Sequence, residues 1–200
     1  MHKAIIFDLG KVLVPFDFMR GYQALEAHCP YPVAEIRSRI AATRLVEPLE
    51  KGLITPRDFV HQLSEALDLE IGYDEFCRIW SCIFSGQLIP DAVLESLARR
   101  YRLLLLSNTN EIHFEMIREN YTLIRHFHDL VLSYQVHAMK PEPEIFRAAV
   151  ARAGCRPGEC FYTDDIGLFV EAARCEGLDA VQFESPEQIE REMNARGITW

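Results

Sequence analysis

The sequence predicts an α/β fold, a doubly wound parallel sheet with a second, all-helical region inserted into it, and three observations carry the prediction. Residues 4–7 form an apolar run of strand length that stops at Asp8, with turn-forming Gly10 two residues on. From residue 86 onward, short apolar runs alternate with stretches of helical spacing. Between the two, residues 17–85 keep helical spacing throughout and show no convincing strand. The expected organisation is therefore a core of residues 1–16 and 86–200 interrupted, just after its first strand, by a helical domain at 17–85.

Each element has its own warrant. Val12, Leu13 and Val14 extend the first apolar run into Pro15, which breaks it. In the insertion, Pro30 and Pro32 punctuate the first two helices, and Ile36, Ile40 and Leu45 stripe the second. Thr55 before Pro56 is a helix entry, an N-cap followed by proline at the first helical position. Val60, Leu63 and Leu67 form the next stripe, and Tyr73, Phe76, Ile79, Trp80 and Ile83 another. These aromatic residues read as the insertion's own core. A helix over 91–100 then feeds a second strand, Leu103 to Leu106, ending at Ser107 and Asn108. A helix over 111–120 leads to a third strand, Leu130 to Ser133. Lys140 and Pro141 precede a helix over 143–153, and CFYTDD is a fourth strand ending in Asp164 and Asp165. Residues 170–175 are helical, Ala180 to Phe183 is a fifth strand, and a last helix runs from N-cap Ser185 to a stop at Gly197. Strands joined by helices of this length give a right-handed, Rossmann-like sheet covered on both faces.

Composition removes whole classes of function. Two hundred residues, 49% hydrophobic, can bury a sizeable core, and a net charge of −9 with no offsetting basic run argues against a nucleic-acid surface. The six cysteines form no C-x-x-C pair and read as reduced thiols of a cytoplasmic protein. No segment approaches the roughly 18 consecutive apolar residues of a membrane span. His113, His126, His128 and His137 lack zinc-ligand spacing and read as structural or solvated.

The strand ends carry the chemistry. Asp8 is a carboxylate able to serve as nucleophile, metal ligand or both, although a helix cap has the same look. Ser107 and Asn108 offer a hydroxyl and an amide to an anion's oxygens. Lys140 adds a positive charge, and Asp164 with Asp165 add two carboxylates whose repulsion a divalent cation would relieve. Taken singly, a solvated lysine and helix-capping acids explain these residues as well. Together, acid, hydroxyl, lysine and paired acid at successive strand ends describe a metal-assisted site for a transferable phosphoryl group.

FDLGKVLV, LLLSNTN, MKPEPEIF and FYTDD resemble, in order and at suitable separations, the four motifs of the haloacid dehalogenase superfamily. The helical segment resembles the small cap of its α-glucose-1-phosphate phosphatases and of the N-terminal phosphatase domain of soluble epoxide hydrolases. The resemblance implies a magnesium-dependent phosphatase of a small phosphorylated metabolite. Asp8 would form an aspartyl-phosphate, Ser107 and Asn108 would hold phosphoryl oxygens, and Lys140 would neutralise charge shared with Asp8. Mg2+ would bind Asp8, the Gly10 carbonyl and Asp165, with Asp164 in support, and the cap would close over the leaving group. The superfamily's metal-free 2-haloacid dehalogenases are the alternative, and a low-activity phosphate-sensing or partner-binding protein is another.

Two positions depart from the family pattern. Most of its phosphatases carry, two residues after the nucleophile, a second aspartate that protonates the leaving group. Here that position is Gly10. Either the substrate has a good leaving group, or an acid comes from elsewhere, with Asp17 nearest in sequence. The second departure is Phe169, where an asparagine commonly braces the metal-side loop.

Overall fold

In the computed structural model, which describes residues 1–200, five strands form one all-parallel sheet. They are β1 (Ala4–Phe7), β2 (Arg102–Ser107), β3 (Asp129–Leu132), β4 (Cys160–Asp164) and β5 (Asp179–Gln182), in the order β3-β2-β1-β4-β5. The chain builds outward from β1 to β3, then crosses back to build outward through β4 and β5. That reversal beside β1 is where open α/β sheets bind ligands, outside the C-terminal strand ends.

Both faces of the sheet are buried, which is why its strands read as continuous apolar runs. Ile5, Phe7, Leu103, Leu105 and Phe161 point into one core, with α6 (Asp91–Ala98), α7 (Glu111–Asn120) and α11 (Pro186–Ala195) over it. Ala4, Ile6, Leu104, Leu106 and Tyr162 point into the other, under α9 (Pro143–Ala153) and α10 (Gly167–Cys175). Ser185 caps α11 by accepting from Gln188 N, as its position before Pro186 predicts. Two strands begin and end a residue earlier than their apolar runs suggest. Ser133 leaves β3 to open the short helix α8 (Ser133–Val136), because its hydroxyl is bonded to both Thr109 N, at 2.9 Å, and Thr109 O, at 2.8 Å. Phe183 likewise falls outside β5, its N–H bonding Asp164 O. No helix is long and apolar enough to cross a membrane.

The insertion comprises α1 (Phe18–Glu26), α2 (Val33–Thr43), α3 (Val46–Glu50), α4 (Pro56–Leu67) and α5 (Tyr73–Trp80). Its core of Leu25, Ile36, Leu49, Phe59, Leu63, Phe76 and Trp80 is met from the sheet domain by Ile112 and His113 of α7, the latter stacked on Trp80. Full burial of Phe59 and of Phe76 contributes about 1.5–3 kcal/mol each. Entry and exit run side by side: Asp17 N bonds Ile83 O and Ser85 N bonds Pro15 O, both at 2.9 Å. A second tie lies past α3, where a Cβ at Gly52 (φ +64) would fall 2.2 Å from Tyr134 O. Only glycine permits that approach of insertion to core.

Candidate active site

Asp8 follows β1, Ser107 closes β2 and Asp164 closes β4, and parallel pairing brings these three ends to one edge. Lys140, from the segment between α8 and α9, reaches the same point. Its buried Nζ lies 2.6 Å from Asp8 Oδ1 and 2.6 Å from Asp164 Oδ2, and 3.4 Å from Leu106 O. Asn108 fixes the lysine's backbone from both sides, its Oδ1 accepting from Lys140 N at 2.8 Å and its Nδ2 donating to Lys140 O at 3.0 Å. The amide that sequence assigns to an anion is thus largely engaged in holding Lys140 in place.

The two adjacent acids differ. Asp164 is saturated: Oδ2 accepts from Lys140 and from the Tyr162 hydroxyl, and Oδ1 accepts from Ile166 N at 2.9 Å. Asp165 is half-buried, and no protein donor reaches its carboxylate. One oxygen each from Asp8, Asp164 and Asp165 lies within 4.8 Å of the others. The Gly10 carbonyl accepts no backbone hydrogen bond. The carboxylates of Asp8 and Asp165 and the Gly10 carbonyl form a hard oxygen donor set with surplus negative charge around one ammonium. Such a set fits Mg2+.

Burial sets the electrostatics. It pushes Asp8 up to about 7; Lys140 opposes that shift and the charge of Asp164 adds to it. Burial works against the charge of Lys140 too, but Asp8 and Asp164 outweigh it and hold the ammonium above its ordinary range. Asp165 is raised by burial and by Asp164, with Lys11 and Lys140 opposing.

At the same sheet edge lies a small cleft of about 60 Å³ bordered by Gly10, Phe16, Glu50, Ser107, Asn108 and His113. Its volume corresponds to a few water molecules. Larger clefts of about 440 and 570 Å³ elsewhere contain none of the strand-end groups.

The two departures acquire physical meaning. A Cβ on Gly10 would sit 2.6 Å from Phe16 Cε1, so the space of an aspartate is filled by an aromatic ring. Phe169 sets its ring 5.1 Å from Lys140 Nζ, a cation–π contact in place of an amide brace. Asp17 is not the borrowed acid: its side chain caps α1, accepting from Met19 N, and it borders a different cleft. His113 is structural, bonded to Asn110 and to Trp80 O and stacked on the Trp80 ring.

Three site residues escape the sequence reading. Tyr162 stands two residues before Asp164 on one strand, hence on the same face, a signal that was present. Phe16 and Glu50 offer none, since neither lies at a strand end.

The haloacid dehalogenase-like hydrolase family model matches residues 2–177. The D-ribitol-5-phosphate phosphatase of Bacteroides thetaiotaomicron is 28% identical over 96% of this chain and 97% of its own length. A phosphatase of Mycobacterium tuberculosis is 29% identical over 88% and 85%. Among solved structures, a haloacid dehalogenase family enzyme of Bacteroides thetaiotaomicron, in complex with magnesium and inorganic phosphate, superposes with a TM-score of 0.81 at 28% identity, covering 93% of this chain and 96% of that one. Fold, strand-end chemistry and family model agree: the chain belongs to the haloacid dehalogenase-like hydrolases.

Proposed function

We propose that this hydrolase is a magnesium-dependent phosphatase that cleaves a small phosphorylated metabolite through an aspartyl-phosphate on Asp8. One observation carries the reading: Asp8, Lys140 and Asp164 form a buried charge chain with 2.6 Å links at the sheet edge where Ser107 and Asn108, at the end of β2, border a cleft. The full-length relatives named as phosphatases support it, and the ribitol phosphatase makes pentitol and sugar phosphates the first substrates to try.

Asp8 is oriented for attack, its carboxylate held by Lys140 and by the Leu9 backbone N–H. Its carboxylate forms the bond to phosphorus as the ester P–O bond breaks, and water then cleaves the acyl phosphate to release inorganic phosphate. Lys140 balances charge passing between Asp8 and the phosphoryl group. Ser107 contributes its hydroxyl. Asn108, its side chain committed to Lys140, contributes its main-chain N–H. Asp8, Asp165 and the Gly10 carbonyl would hold Mg2+, which would supply charge neutralisation at the phosphoryl oxygens, and Asp164 keeps Lys140 aligned. Dehalogenation without a metal would leave Asp165 and Asp8 repelling each other next to the nucleophile, which would blunt attack.

The test is a screen of sugar, pentitol and acyl phosphates with and without Mg2+, comparing wild type with Asp8→Asn. Removing the nucleophile is expected to cost about 10⁴-fold or more in kcat, and chelation to abolish turnover. Turnover indifferent to both changes refutes the reading. Chloride release from 2-chloropropionate with no phosphatase activity replaces it with the dehalogenase.

A further inference from the structure

The cleft contains one carboxyl group that the chemistry above does not use. Glu50, the last residue of α3, lines it together with Gly10, Ser107 and Asn108. It is half-buried, and its carboxyl makes neither a hydrogen bond nor an ion pair, whereas neighbouring Lys51 makes two ion pairs. A carboxyl withdrawn from water without a partner normally loses stability, so a folded chain that keeps one there calls for another reason.

The position of Glu50 relative to the sheet domain is fixed. Lys51 Nζ lies 2.6 Å from Glu142 Oε1, on the segment that delivers Lys140. The Lys51 carbonyl bonds His137 Nδ1 at 2.8 Å, and Gly52 abuts Tyr134 O. Three ties thus pin the end of α3 against the segment leading to the catalytic lysine.

We propose that Glu50 is the acid/base of this site, supplying from the insertion the proton that an aspartate at position 10 cannot. This rests on the phosphatase reading. In the first step Asp8 bonds phosphorus, the ester P–O bond breaks, and the Glu50 proton passes to the departing oxygen, releasing a neutral alcohol. In the second step the Glu50 carboxylate takes a proton from water as that water attacks phosphorus, breaking the bond to Asp8 and returning Glu50 to its protonated form. Protons balance over the cycle, and no co-reactant is required.

The surroundings suit a carboxyl that holds and returns a proton near neutrality. Burial, aided by the charge of Glu47, lifts Glu50 up to about 7. Lys11 makes no ion pair and holds its Nζ 5.2 Å over the Phe16 ring, which lines the same cleft, yet burial and Glu47 set the direction at Glu50. Lys51 faces Glu47 and Glu142, Arg39 on the adjoining α2 faces Glu35, and Arg37 borders another cleft. His137 is turned to the Lys51 carbonyl, Lys140 to Asp8 and Asp164, and His113 across the cleft is pushed down to about 4 by burial and stays neutral.

An acid donor is needed in proportion to the basicity of the leaving group, which makes the experiment specific. Full-length wild type, Glu50→Gln and Asp8→Asn are assayed with Mg2+ on an alkyl phosphate and on acetyl phosphate, whose carboxylate leaves unaided. Glu50→Gln is expected to lose about 10²-fold or more in kcat on the alkyl ester and only a few-fold in acetyl-phosphate disappearance during the first turnover. Wild type should also show activity on the alkyl ester falling above about pH 7, a limb missing with acetyl phosphate in the first turnover. This second measurement requires no variant. Equal losses on both compounds, an effect confined to KM, or identical pH limbs overturn the inference. Turnover that needs Asp8 but ignores Glu50 sinks the inference alone, whereas a wild type inert to both compounds sinks it together with the phosphatase reading.

Discussion

The two walls of the cleft are built on different terms. On the sheet side the charged centre is buried and bonded: Asp8 and Lys140 to each other and Asp164 to three donors, with Asn108 bonded to both the N–H and the C=O of Lys140. On the insertion side Glu50 ends a five-residue helix and is bonded to nothing. The sheet wall is preorganised for charge, since its dipoles and ions are already aimed where phosphoryl charge develops. The insertion wall is joined to the sheet domain by the ties at the end of α3. Division of labour follows from the proposal above, with electrostatic work on the sheet wall and proton transfer on the insertion wall.

The largest way to break this comparison is to remove the cation that holds the sheet wall together. Lys140→Met leaves Asp8 and Asp164 buried and facing each other across an apolar chain. Stripping one partner from a buried ionic cluster costs about 3–5 kcal/mol, so urea unfolding should show a loss of that order, with phosphatase turnover abolished. Added Mg2+ should recover part of the stability in Lys140→Met and change it less in wild type. If Lys140→Met is as stable as wild type without Mg2+, the sheet wall is not held by this charge chain.

The same contrast governs how much of the site was legible in the sequence. Buried parallel strands are unbroken apolar runs, so a polar residue at the end of one is conspicuous, and Asp8, Ser107 and Asp164 stand out for that reason. Lys140 follows because Pro141 and the helix after it fix where the chain turns. The insertion hides its contribution: on an amphipathic helix an acid off the apolar stripe looks solvated, and Glu50 is inside only because α3 leans on the core next to α8. Gly10 was legible as a missing acid, but not Phe16 as its occupant, because contacts across a turn leave no periodic trace. Asn108 was legible as a polar group at the site, though its engagement with Lys140 is a contact between segments 32 residues apart.

A smaller effect sharpens the boundary between the walls. His113 joins them, donating from Nε2 to Trp80 O on α5 and accepting at Nδ1 from Asn110 Nδ2 before α7. Burial lowers it from the ordinary 6.5 to about 4, so between those values the unfolded chain binds a proton that the folded one refuses. Stability therefore rises with pH across that window and is lost as pH falls from 6.5 toward 4, by up to about 3 kcal/mol at roughly 1.4 kcal/mol per unit. Urea titrations at pH 7 and pH 5 should show the loss. His113→Phe should flatten the slope while lowering stability at pH 7, because Trp80 O then loses its partner. A slope unchanged by His113→Phe would assign the acid sensitivity to other groups.

The smallest effect concerns the residue that connects the two walls in sequence. Gly10→Asp supplies the acid most of the family carries, yet its Cβ meets a Phe16 ring packed 5.0 Å from Phe18 and 6.1 Å from Phe84. Moving that ring costs about 1–3 kcal/mol of overpacking, so Gly10→Asp alone should lower the melting temperature without raising turnover of alkyl phosphates. Cutting the ring back with Phe16→Ala should recover stability and let the new carboxylate reach the leaving oxygen. Wild-type Glu50 already provides that proton, so the double variant should gain little over wild type and much over Glu50→Gln when the three changes are combined. Two acids serving one proton give non-additive effects, and additive rates across this set would mean that positions 10 and 50 serve different steps.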